Sequence, residues 1–199
     1  MTTPRLIVGL GNPTDEHEND RHNAGFWFID ALAARQGTSL KREAKFSGHV
    51  ARTRFGQHEL WLLKPMTWMN RSGLAVGALA RFYRIEPAEI LVAYDELDLA
   101  PGIARLKLGG SSTHNGLRDI TAQMGGPGYW RLRLGIGHPR DHFPGKPVVD
   151  YVLDRPGRDH RRAIDDAIER SLDVMPIVAE GDWPRATQQL HTAERADRP

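Results

Sequence analysis

Cysteine is absent from this chain of 199 residues. That excludes a disulfide scaffold, a thiolate zinc site and a cysteine nucleophile together. No apolar run approaches the ~20 residues of a membrane-spanning helix, so no membrane partner is expected. The N-terminus, Met1-Thr2-Thr3-Pro4-Arg5, leads into strand-like sequence without a secretory apolar segment, and the expected location is cytoplasmic. Internal repeats and low-complexity linkers are lacking too. Neither a Gly-x-Ser-x-Gly elbow nor a His-Glu-x-x-His pair occurs, so serine and zinc hydrolase readings lose their usual motifs. Gly9-x-Gly11-x-x-Thr14 lacks the third glycine of a dinucleotide fingerprint. It reads as a tight turn, and no cofactor is expected. An excess of one charge is lacking as well: 27 Lys and Arg face 25 Asp and Glu, for a formal net of +2. Balance leaves room for a nucleic-acid partner, whose footprint is a local patch rather than a total.

What is present suffices for a packed core: 40% of residues are hydrophobic, and 20 more are glycine. The length predicts one domain, over residues 1–192, followed by a disordered tail over 193–199. Residues 5–10 read as a buried first strand. Residues 11–14 carry turn chemistry, residues 15–22 are polar loop, and Asn23 is a candidate cap for a helix over 24–36. Residues 49–54 and 59–63 read as a strand pair, 65–69 as a loop, and 70–84 as a helix with Asn70 at its start. Strands are expected at 90–94, 103–108 and 130–136, with a helix over 117–124. A long amphipathic helix covers 159–179, with Pro176 expected to kink or end it, and a terminal helix follows over 182–192. Strands and helices interleave. The expected fold is therefore a single α/β domain, a twisted mixed and mostly parallel sheet with helices on both faces.

In open α/β sheets the ligand sits at the carboxyl ends of the strands. Four polar segments fall there: Gly9 to Pro13 with Arg21-His22-Asn23; Lys64 to Asn70; Tyr94 to Asp98; and Gly109 to Gly116. Asn12, Asn70, Asn115, His22, His114 and Asp95 should converge on one rim. Each has a plainer reading alone: His22 as a surface or capping residue, Asp95 as a solvated acid, Asn70 and Asn115 as helix caps. His22, Asp95 and His114 are too scattered in sequence to read as a metal site. Together they suggest a histidine base supported by a carboxylate, with side-chain amides to hold water or an oxyanion. That set suits water attack on an activated ester.

The segments resemble bacterial peptidyl-tRNA hydrolases. The resemblance rests on Leu6-Ile7-Val8-Gly9-Leu10-Gly11-Asn12-Pro13, Arg21-His22-Asn23-Ala24-Gly25 and Lys64-Pro65-Met66-Thr67-Trp68-Met69-Asn70. It continues through Asp95-Glu96-Leu97-Asp98-Leu99, His114-Asn115-Gly116-Leu117 and Arg131 to Pro139. The six segments follow the family's order over about residues 5–190. The resemblance implies hydrolysis of the ester between a peptide and the 3′ end of tRNA, which recycles tRNA. It implies a monomer without metal, cofactor or obligate protein partner. It places His22 at the base and Asp95 at the carboxylate that supports it. Asn12 falls at the residue that distinguishes blocked from free aminoacyl ends. Asn70, Asn115, Met69 and Trp68 fall along the substrate groove, and Lys107 and Arg133 toward the acceptor stem.

The chain departs from the family pattern in places. His17 replaces a tyrosine, which keeps a ring for substrate but changes its chemistry. Asp20 adds a negative charge, and the loop over 109–113 is one residue short. These departures raise an alternative, a non-catalytic RNA-binding module of the same fold. Residues 140–146 are a candidate lid.

Overall fold

The computed structural model describes residues 2–196, with side chains described through Ala193. One seven-stranded sheet is formed by β1 (Leu6–Gly9), β2 (Lys41–Glu43), β3 (Gly48–Phe55), β4 (His58–Pro65), β5 (Ile90–Glu96), β6 (Ala104–Leu108) and β7 (Trp130–Gly135). The spatial order is β2-β3-β4-β1-β5-β7-β6. β4, β1, β5 and β7 pair in parallel, whereas β3 and β6 run antiparallel to their neighbours. The sheet is mixed, with β2 and the four central strands running one way. β1 is central because it is apolar and buried throughout, as a strand covered on both faces must be.

The helices are α1 (Ala24–Arg35), α2 (Ser72–Tyr83), α3 (Asn115–Met124), α4 (Pro139–His142), α5 (Val148–Val152), α6 (Arg158–Ala179) and α7 (Trp183–Ala196). Side-chain alternation along the strands divides the core in two. Ile7, Leu91, Ala93, Leu132 and Leu134 pack with α1, α6 and α7 on one face. Leu6, Val8, Val92 and Tyr94 pack with α2 and α3 on the other.

Several local expectations are corrected. The polar stretch at 15–22 holds 3-10 turns at Asp15–His17 and Arg21–Asn23. Asn23 precedes α1 without capping it by its side chain, which is used elsewhere. α2 begins at Ser72, because Met69–Arg71 forms a 3-10 turn first, so Asn70 caps nothing. His114, not Asn115, caps α3. Pro176 lies inside α6, which runs on to Ala179; the buried Ile177, Val178 and Ala179 hold that last turn against the core. β2, α4 and α5 were not foreseen. α7 continues to Ala196, and the remainder of the expected tail, 197–199, lies outside the described residues.

Candidate active site

β1, β4 and β5 bring their carboxyl ends to one edge of the sheet, and the turn before α1 folds over it. Glycine makes that approach possible. A Cβ on Gly25 would lie 2.4 Å from the Leu10 nitrogen and 2.5 Å from the Ala93 oxygen. The start of α1 therefore packs directly on β1 and β5, carrying His22 to the end of β5.

Asp95 is buried there at 2% exposure. His22 Nδ1 lies 2.7 Å from Asp95 Oδ2. From the start of α3, His114 Nε2 lies 2.7 Å from Asp95 Oδ1. The two imidazoles are 4.9 Å apart between ring centres. Burial alone would lower the proton affinity of His22; the attraction of Asp95 and its hydrogen bond, with help from Asp20, outweigh burial and raise it above the ordinary imidazole value. Burial would likewise raise the Asp95 carboxyl, but its two imidazole partners hold it below the ordinary carboxylate range.

Asn12 is fixed on three sides. Its backbone N–H donates to Asn23 Oδ1 at 2.9 Å, and Asn23 Nδ2 donates to the Asn12 carbonyl at 3.0 Å. The Met69 N–H donates to Asn12 Oδ1 at 2.8 Å, which leaves the NH₂ end as the donor the side chain can offer. Met69 is buried beneath Gly116, where a Cβ would lie 2.8 Å from the Met69 sulfur.

These residues line a groove of about 690 Å³. Asn12, His22, Trp68, Met69, Asn70, Asp95, His114 and Asn115 all contribute, so the expected convergence of amides, histidines and carboxylate is present. Val148, Val149, Val152 and Leu153 supply an apolar wall. Arg21 ties that wall to the histidine beside it. Its buried guanidinium stacks 3.9 Å from the Tyr151 ring and donates to the Tyr151 and Asp154 carbonyls at 3.0 and 3.2 Å.

His17 lies outside the groove lining but meets Trp68 edge-on at 6.0 Å, and its Nδ1 is 2.6 Å from Asp20 Oδ2. Lys107 and Arg133 also lie outside the lining, on β6 and β7. Their register (Lys107 opposite Arg131, Arg105 opposite Arg133) puts four basic residues on one face of this antiparallel pair. Arg133 is held by Glu96 at 2.8 Å, and Tyr94 donates to the same carboxylate oxygen at 2.9 Å.

Sequence reasoning placed His114 on the rim without its bond to Asp95, and missed three supporting residues: Asn23 on Asn12, Glu96 on Arg133, and Arg21 on α5. All stand within the quoted motifs, yet their partners are distant in the chain. Ligand atoms of His22, Asp95 and His114 lie within 4.8 Å of one another, close enough to raise a metal. His114, however, has both ring nitrogens engaged, one by Asp95 and one by the Gly116 N–H. The trio is joined as a hydrogen-bonded chain.

Fold and site define an α/β protein with a histidine–carboxylate centre at the strand ends, walled by amides and apolar side chains. The family model for peptidyl-tRNA hydrolase matches residues 6–198. The chain is 54% identical to a peptidyl-tRNA hydrolase of Cupriavidus pinatubonensis over 198 residues, covering 96% of this chain and 99% of that one. It is 54% identical to one from Neisseria gonorrhoeae, covering 96% and 98%. The crystal structure of peptidyl-tRNA hydrolase from Acinetobacter baumannii superposes with a TM-score of 0.90 at 44% identity, covering 96% of this chain and 95% of that one. The chain belongs to the peptidyl-tRNA hydrolase family.

Proposed function

We infer that this chain hydrolyses the ester between a peptide and the 3′ end of tRNA, the reaction for which its family is named. The observation that carries the reading is the buried His22–Asp95 bond at the floor of an amide-lined groove. Asp95 accepts from His22 Nδ1, so the other ring nitrogen, Nε2, is the one left to act as base. Nε2 takes a proton from water, and the water oxygen attacks the ester carbonyl carbon. The tetrahedral intermediate collapses with cleavage of the carbon–oxygen ester bond. The 3′ oxygen leaves with the proton that the imidazolium returns. Asn12 and Asn115 offer amide N–H groups to substrate and intermediate oxygens without adding charge.

The NH₂ end of Asn12 also suits selection. It can donate to the carbonyl oxygen of a blocked amino group, whereas a free ammonium is only a donor and offers it no acceptor. Asn70, Met69 and Trp68 line the path of the 3′ end. The apolar wall of α5 suits the peptide. Lys107 and Arg133 contact acceptor-stem phosphates, which position the RNA without reading its sequence. His17 supports Trp68 from outside the groove. The enzyme works as a cytoplasmic monomer without a metal. Among the described residues, no helix is long and apolar enough to cross a membrane. A non-catalytic RNA-binding role would leave the buried histidine–carboxylate pair without use.

The test compares an N-blocked aminoacyl-tRNA with the same tRNA carrying a free amino group, with chelator present. Cleavage of the blocked ester alone, unaffected by chelator, is the expected result. Equal cleavage of both would overturn the role of Asn12, and binding without cleavage would overturn the enzymatic reading.

A further inference from the structure

The Asp95 carboxylate has two oxygens, and a different imidazole meets each of them. The protonation pattern of the second ring can be read from its far side. The Gly116 N–H donates to His114 Nδ1 at 3.1 Å. A ring nitrogen that accepts carries no proton, so the His114 proton is on Nε2, directed at Asp95 Oδ1. An ionised carboxylate only accepts. Both rings therefore donate to Asp95, and the backbone of α3 sets the tautomer of one of them.

We propose that His114 is a positioning residue for hydrolysis: by occupying Oδ1 as a fixed donor, it divides the Asp95 carboxylate between two rings and limits how tightly His22 holds a proton. The proposal rests on the reading of His22 as the base. A carboxylate serving His22 alone would concentrate its charge on one imidazole. The proton would be held more strongly, and the free base would exist only at higher pH. The other groups that face His22 do not substitute for this arrangement. Asp20 is engaged by His17, and Glu96 by Arg133 and Tyr94. Asp98 and His138 also line the groove, and neither has a hydrogen bond to His22 among the described residues.

Two conservative variants separate this role from helix capping. In His114→Asn the side-chain oxygen stands where Nδ1 stood, so the Gly116 N–H keeps its acceptor while Asp95 loses its donor. In His114→Gln the amide nitrogen reaches where Nε2 stood, so Asp95 keeps a donor while the cap is lost. The readouts are the pH dependence of kcat/KM and the titration of the His22 ring by NMR. His114→Asn should move both upward by about one pH unit. His114→Gln should leave both in place and raise KM through a loosened Asn115. An unmoved His22 titration in His114→Asn, or an equal shift in both variants, overturns the proposal. If the ring titration moves in His114→Asn while the rate profile stays, the shared carboxylate stands and His22 as the base falls.

Discussion

His17 and His22 stand five residues apart, and each places Nδ1 close to an aspartate oxygen, at 2.6 and 2.7 Å. Bond length does not separate the two pairs; connection and burial do. His17 and Asp20 are three residues apart on one stretch of turn, with the other His17 nitrogen 3.6 Å from the exposed Glu16. Such a pair is set by the local turn alone, and it is the less covered of the two, with side chains 20% and 10% exposed against 12% and 1% for His22 and Asp95. His22 and Asp95 are 73 residues apart and meet only because α1 packs on β5. Asp95 is nearly inaccessible, and a second ring holds its other oxygen. The fold fixes this geometry before substrate arrives, which is what a general base requires.

The comparison is broken most severely by His22→Ala. Turnover of N-blocked aminoacyl-tRNA should fall by about 10²–10⁴-fold, with tRNA binding kept. Single-turnover rates and a filter-binding titration measure the two. Asp95→Asn comes next. An amide has one acceptor oxygen and cannot serve two donating rings, so one imidazole loses its partner. The plateau rate should drop about tenfold or more. Lys107→Ala and Arg133→Ala should raise KM, and each should flatten the plot of log binding constant against log salt by about one unit of slope. The Arg133 effect should be the weaker of the two, since Glu96 already offsets its charge. His17→Ala gives the smallest effect, a KM increase of about two- to threefold with kcat unchanged, of the order expected for one partly covered contact outside the groove. A large loss of kcat in His17→Ala would erase the distinction between the two pairs.

The central strands were legible because β1 and β5 are continuous apolar runs between glycine and polar punctuation. α6 was legible from its helical spacing. β2 was not, because Lys41-Arg42-Glu43 is fully exposed and charged; charges of this kind keep a sheet edge from pairing further, and they mask it as loop. α4 and α5 are too short for periodicity to register. α5 is held by distant groups: Arg21 donates to the Tyr151 carbonyl and Tyr151 donates to Ile136. In the site, residue types at strand ends and the family resemblance pointed to His22, Asp95 and the three asparagines. Their local roles were misread where side chains suited to capping are spent elsewhere. Asn23 braces Asn12, and Asn115 follows a histidine that caps in its place. The sharing of Asp95 needs β5, the turn before α1 and the start of α3 at once, and no stretch of sequence contains all three.

The pH dependence of kcat/KM for the wild type and Asp95→Asn, measured side by side, tests the central claim most directly. The base acts unprotonated, so the rate rises with pH as His22 loses its proton. Burial pushes that titration down, and Asp95 pushes it up by more. The acid limb of the wild type should therefore lie above the ordinary imidazole value of about 6.5. Without the carboxylate, burial remains, and the limb should move to lower pH. A limb at the same pH in both proteins would contradict the account, because the Asp95 carboxylate would then not act on the group that takes the proton.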